Sequence, residues 1–120
     1  MDEAVRVLEG LRLGPLLSEA RVVEAIARAF DGVGVRYVRE YRLGPGARVD
    51  FLLEDGTVVE VKNGKAHSGR LAAQVDRYCG FEGVSGLIVV VARSVFDVPE
   101  VSHGKRVVYV ALNRLWGVSV

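Results

Sequence analysis

Cysteine is all but absent from this 120-residue chain: Cys79 stands alone, so no internal disulfide can form. Nothing in the thiol content points to an oxidising compartment. Long apolar runs are missing as well. The two longest, Leu87 to Ala92 and Val107 to Leu112, are each a third or less of the roughly 20 residues that cross a bilayer. The start, Met1-Asp2-Glu3, is acidic and no apolar stretch follows it, so no signal peptide is expected. These absences predict a cytoplasmic protein with no membrane partner. An excess of one charge is also lacking. The formal net charge is +1, and composition alone therefore does not announce a nucleic-acid binder. Lysine is scarce, confined to Lys62, Lys65 and Lys105, and glutamine occurs once, at Gln74. Few amides and short loops fit a thermophilic source.

What is present is an ordinary globular composition, half hydrophobic and about a quarter charged. No repeat, low-complexity tract or long linker divides it. One domain over residues 1–120 is expected, large enough to bury a core without staples. Residues 2–12 show helical spacing, with Ala4, Val5, Leu8 and Leu11 on one stripe and Gly14-Pro15 closing the segment. Ser18 is a good N-cap for a second helix, with Glu19 in its first turn and Val22, Val23, Ile26 and Phe30 on one stripe. That helix should end near Asp31-Gly32.

Strands follow. From Val35 to Leu43, alternation puts Val35, Tyr37, Tyr41 and Leu43 on one face and Arg36, Glu40 and Arg42 on the other, with a break at Val38-Arg39. Val49 to Leu53 and Val58 to Lys62 read as a hairpin around Glu54-Asp55-Gly56. Residues 63–69 read as a polar loop and Arg70 to Cys79 as a helix. Leu87 to Ala92 has the unbroken apolar character of a strand buried on both faces. Arg106 to Leu112 is a last strand, followed by a tail containing Trp116. The order predicts an α/β domain with a mixed central sheet flanked by helices, in which the third helix crosses over to the buried strand.

The chemistry concentrates in Arg48-Val49-Asp50-Phe51-Leu52-Leu53 and Glu60-Val61-Lys62. Glu60 and Lys62 share one side of their strand. Asp50 joins them in only one of two registers, because a one-residue slip reverses the face. A two-residue Asp55-Gly56 turn pairs Asp50 with Val61 and turns it away. A three-residue Glu54-Asp55-Gly56 loop, with Gly56 left-handed, pairs Leu53 with Thr57 and sets Asp50 opposite Glu60. The second register is the one expected, with Val49, Phe51, Val59 and Val61 as an apolar face behind the acids. Two carboxylates on adjacent strands suit a hard divalent cation such as Mg²⁺ or Mn²⁺. Such a cation polarises a phosphodiester and activates water, with Lys62 beside it to orient the water or stabilise the transition state.

These residues resemble the PD-(D/E)XK nuclease superfamily, whose restriction-endonuclease-like core runs αβββαβ. The resemblance covers about Ser18 to Ala92, and is nearest to small phage- and prokaryote-associated nuclease domains. Its core here would be residues 18–112, with the helix over 2–12 as an addition. Val49 stands where the motif's proline is often found. The resemblance implies metal-dependent cleavage of nucleic acid, most simply DNA, in repair, recombination or phage DNA processing. It implies metal ligation by Asp50, Glu60 and the Val61 carbonyl. Gln74-Val75-Asp76-Arg77-Tyr78 matches the Gln-x-x-x-Tyr of an exonuclease-like branch, and Gln74 and Tyr78, one turn apart, project from the same helix face. A glutamate from the first core helix is often added. Glu19 falls on the sheet-facing stripe and Glu24 off it, so Glu19 is the expected ligand.

Arg48, Lys65 and Arg70 are candidates for nucleic-acid contact, with Arg36, Arg39 and Arg42 nearby; Arg36 and Arg42 read equally as the solvated face of an edge strand. A homodimer would allow so small a domain to cut both strands of a duplex. His67 and His103 lack metal-ligand companions and read as exposed loop residues. Cys79 reads as a small buried side chain. Gly44-Pro45-Gly46 lacks the Lys-Ser/Thr of a P-loop and reads as a turn.

Overall fold

The computed structural model describes residues 1–13, 18–62, 68–92, 95 and 97–112. The elements run α1 (Asp2–Glu9), α2 (Glu19–Val33), β1 (Tyr37–Gly44), β2 (Ala47–Leu53) and β3 (Thr57–Lys62). They continue with α3 (Ser68–Cys79), β4 (Gly86–Val91), β5 (Val101–Ser102) and β6 (Lys105–Ala111). The fold is α/β, with one mixed sheet ordered β1-β2-β3-β4-β6-β5. Strands β1, β2 and β3 form an antiparallel meander, whereas β3, β4 and β6 run parallel. No described helix is long and apolar enough to cross a membrane.

Local chemistry sets most of the boundaries. The Ser18 hydroxyl accepts from the Arg21 amide and caps α2, which ends where Gly34 enters the left-handed conformation. α1 stops at Glu9, short of the expected residue 12, because the chain turns at Gly10. Strand β4 is buried along its whole length, as its apolar run predicts. Its residues alternate between two cores. Ile88 and Val90 join α1 and α2 through Leu8, Ile26 and Phe30, and Leu87, Val89 and Val91 join α3 through Leu71, Val75 and Tyr78.

The β2–β3 hairpin adopts the three-residue loop. Phe51 pairs with Val59 and Leu52 with Val58, and the Gly56 amide bonds the Leu53 carbonyl at 3.0 Å. Gly56 has φ +89°, and a Cβ there would also press on the Gly83 carbonyl and the Ser85 hydroxyl, each at 3.0 Å. Both the conformation and the space call for glycine. The same register carried one step further sets Asp50 across from Glu60.

The expected apolar face behind the acids needs correction. Phe51, Leu53, Val59 and Val61 do face α2, but Val49 and Ala47 lie in the α3 core. Residues two apart on a strand ordinarily share a face, so the pleat is broken between Val49 and Phe51. Its partner strand breaks at the same level. Arg39 pairs with Phe51 and Tyr41 with Val49, and between them Glu40 has φ +50°. Hence Tyr37 packs toward α2 while Leu43 packs toward α3, rather than sharing one face as alternation predicted. Beyond this kink the hairpin tip is pinned to the C-terminal end of α3. Arg77 donates to the Pro45 carbonyl at 3.1 Å, and a Cβ on Gly44 would lie 2.7 Å from the Phe81 ring.

A left-handed residue with a side chain costs about 1–2 kcal/mol relative to glycine. Because the Glu40 side chain is exposed, substitution there reads the backbone alone. Glu40→Gly should be at least as stable as wild type in urea denaturation, and the β-branched Glu40→Val less stable by about 1–2 kcal/mol. Equal losses in both variants would show that the left-handed backbone does not govern this position.

Candidate active site

Asp50 and Glu60 reach across the gap between β2 and β3, and each accepts from a main-chain amide of the opposite strand. The Asp50 amide donates to Glu60 Oε1 at 3.0 Å, and the Val61 amide donates to Asp50 Oδ2 at 2.8 Å. Carboxylate oxygens thus stand where strand carbonyls would otherwise accept. A buried amide left without an acceptor costs about 1–3 kcal/mol, so each acid side chain is held by the fold it helps to complete.

Glu60 is buried and Asp50 half-buried. On its strand Glu60 follows Val58 toward α3, and its Oε2 lies 3.4 Å from Lys62 Nζ and 3.4 Å from the Tyr78 hydroxyl. Burial, and then the neighbouring Asp50 carboxylate, push the Glu60 carboxyl up to about 7, with Lys62 pulling the other way. The Tyr78 hydroxyl is raised to about 12, by burial and then by Glu60, so it remains a donor at neutral pH. Gln74, half-buried one turn before Tyr78, lines the same narrow cleft with Glu60, Leu71 and Val89. Asp50, Glu60, Lys62, Gln74 and Tyr78 therefore converge.

The other expected site residues do not all join them. Glu19 is exposed in the first turn of α2, on the sheet face opposite to the one Glu60 turns toward. Glu24 is held by Arg39 at 2.8 Å. Among the described residues, no third His, Cys, Asp or Glu closes on the acidic pair to form a metal-holding group. The sheet itself is the reason, since it separates α2 from the pocket beneath α3. Lys65 and His67 lie outside the described residues. Arg48 and Arg70 are exposed, Arg70 in the first turn of α3. His103, expected as an exposed loop residue without metal-ligand companions, is exposed in a turn and bonds Asp76 of α3 at 3.0 Å. Cys79 is buried, and burial raises its thiol.

Glu40 is the feature of the site region that sequence reading missed. It lies between Arg39 and Tyr41, whose partners Phe51 and Val49 flank Asp50, and the broken alternation at Val38-Arg39 was its one signal in the sequence.

Among the described residues the donor set is oxygen only, with no imidazole or thiolate at the pair. Such a set fits a hard cation of the Mg²⁺ or Mn²⁺ kind, which Mg²⁺ in particular retains through one or two carboxylates and several waters. A high carboxyl pKa beside a second acid also marks a place where positive charge would be favourable. Comparison of the chain with known protein families, with curated proteins and with solved structures gives no match.

The raised Glu60 pKa has a consequence for stability. Because its folded value of about 7 exceeds its ordinary 4.5, its contribution to stability is complete below pH 4.5 and is lost as pH rises through 7. Glu60→Gln keeps an acceptor for the Asp50 amide without the buried charge. At pH 8 this variant should be more stable than wild type by on the order of 2 kcal/mol, and the gain should vanish near pH 4.5. Thermal denaturation across that range measures it; a gain independent of pH would mean that ionisation of Glu60 is not its source.

Proposed function

We propose that the protein is a divalent-metal-dependent nuclease with a restriction-endonuclease-like core of the PD-(D/E)XK kind, hydrolysing phosphodiester bonds of nucleic acid, with DNA as the first substrate to test. One observation carries this reading. Asp50, Glu60 and Lys62 meet at the opening between β2 and β3, with the Lys62 ammonium 3.4 Å from a Glu60 oxygen. The resemblance in sequence supports the same assignment.

Asp50 and Glu60 would hold Mg²⁺ or Mn²⁺, with the Val61 carbonyl as a further oxygen donor. When bound, the cation supplies polarisation of a phosphate oxygen and a lowered pKa for water. The chain's own groups do the rest. The Lys62 ammonium orients the attacking water and offsets charge building on the phosphoryl oxygens. Tyr78 fixes the rotamer of Glu60 by donating to Oε2, while the Asp50 amide holds Oε1. Gln74 closes the cleft wall beside them. Glu19, exposed on the far face, has no part.

The test is cleavage of labelled single-stranded, duplex, flap and junction DNA with Mg²⁺ or Mn²⁺. Wild type should cut, and Asp50→Asn and Lys62→Ala should each be slower by on the order of 100-fold or more. In parallel, Mn²⁺ should raise the melting temperature of wild type and not of Asp50→Asn. DNA binding by pure wild type without any cutting would replace this reading with a non-catalytic nucleic-acid-binding module.

A further inference from the structure

Tyr41 stands apart from the other tyrosines. The hydroxyls of Tyr37, Tyr78 and Tyr109 bond Asp31, Glu60 and the Pro99 carbonyl. Among the described residues Tyr41 is the one exposed aromatic side chain, 40% exposed, and Val38 on the same edge strand is 54% exposed. Both lie on the α3 side of the sheet. Val38 pairs with Leu52 and Tyr41 with Val49; Val49 is in the core beneath α3 and Leu52 packs on it. Directly paired residues share a face. Arg39, between them in sequence, turns instead to the α2 side, where Glu24 holds it at 2.8 Å.

This is the face toward which Glu60 turns, and Lys62, two residues on along β3, shares it. The partners of Val38 and Tyr41, Leu52 and Val49, lie on either side of Asp50 along β2. Paired Cα atoms on antiparallel strands are about 4.5–5.5 Å apart and consecutive ones about 3.8 Å, so the Tyr41 Cα is within about 9 Å of the Asp50 Cα. The ledge beside the acid centre thus offers a ring face and a branched aliphatic surface, while Arg39 is turned to the opposite side. Such a surface suits a flat apolar body rather than a phosphate. A single strand of nucleic acid carries one next to every phosphate, whereas a duplex keeps its base faces inside its own stack.

We propose that Tyr41, with Val38 beside it, is a stacking platform for an unpaired nucleobase, so that the substrate entering the Asp50–Glu60 centre is a single strand or an unpaired end. The base held belongs to the nucleotide next to the phosphodiester that is cut. This inference rests on the nuclease reading of that centre and names its substrate class. The platform itself acts in binding and needs neither metal nor hydrolysis. Every base has a π face, so the ring accepts each of them without a sequence preference.

Fluorescence anisotropy in EDTA, with a labelled single strand of mixed sequence and the same sequence as a blunt duplex, tests the platform apart from cleavage. Tyr41→Ala should weaken single-strand binding about tenfold and leave duplex binding unchanged. The salt slope should stay as in wild type, because no charge is removed. Tyr41→Phe keeps the ring and should bind as wild type does. Tyr41→Leu keeps an apolar side chain on the strand; it should melt with wild type and still bind single strands more weakly, which separates lost stacking from lost fold. Val101→Ala trims another exposed hydrophobe, on β5 at the far edge of the sheet, and should change nothing. Wild-type single-strand affinity in Tyr41→Ala would overturn the platform. So would an equal loss of duplex binding, an equal loss in Tyr41→Phe or Val101→Ala, or no binding of single strands by wild type. Each of these results could come from a protein that still cuts duplex DNA with Mg²⁺, leaving the nuclease reading intact. Conversely, a platform confirmed in a protein that never cuts would leave only the hydrolysis in error.

Discussion

The structure turns on an exchange of hydrogen bonds at one step of the β2–β3 pair. Where the ladder would continue, Asp50 and Glu60 each accept from the other strand's amides with a carboxylate. This exchange lets the two strands part without orphaning buried donors. From this step Glu60 turns toward α3, where the Lys62 ammonium and the Tyr78 hydroxyl each lie 3.4 Å from its Oε2. Backbone amides are rigid donors, so they fix the two acids more firmly than mobile side chains could. The same two residues thus complete the hydrogen bonding of the sheet at this step.

That arrangement costs stability. Glu60 is buried beside a second acid, and desolvation and repulsion together hold its proton to about pH 7. Lys62 offsets part of this, and the Tyr78 hydroxyl gives one oxygen a neutral donor. A fold selected for stability alone would place an amide or a hydrophobe at residue 60. A site that must attract a cation or exchange a proton near neutrality needs the strained carboxyl instead.

The kink at Glu40 extends the same logic to the hairpin. Strand pairing in β1–β2 is continuous in register from Tyr37 to Arg42, yet the faces swap at the level of Asp50. The base of the hairpin is thereby committed to α2 and its tip to α3. Arg39 at the base is neutralised by Glu24, whereas Arg42 and Arg48 past the kink are left facing each other. One left-handed residue therefore separates the half of the hairpin that packs on α2 from the half that packs on α3.

Local patterns in the sequence were sufficient for the element order apart from the two-residue β5, and for the Ser18 cap, the buried β4 strand and the Glu54-Asp55-Gly56 loop. Each depends on neighbours a few residues apart or on a period of 2 or 3.6. They were sufficient also for Asp50 opposite Glu60, because that pairing follows from loop length and hydrophobic sorting. Beyond that reach, tertiary structure decided. Helical phasing placed Glu19 toward the sheet but could not say that the pocket would open on the other face. Alternation put Val49 with Phe51 because a regular pleat was assumed, and the kink that separates them is stabilised by contacts of the hairpin tip with Arg77 and Phe81, more than 30 residues away. The sequence by itself determined on which strands Asp50, Glu60 and Lys62 lie. Only the packed sheet decided which of them share a pocket, because burial and strand separation are set by partners distant along the chain.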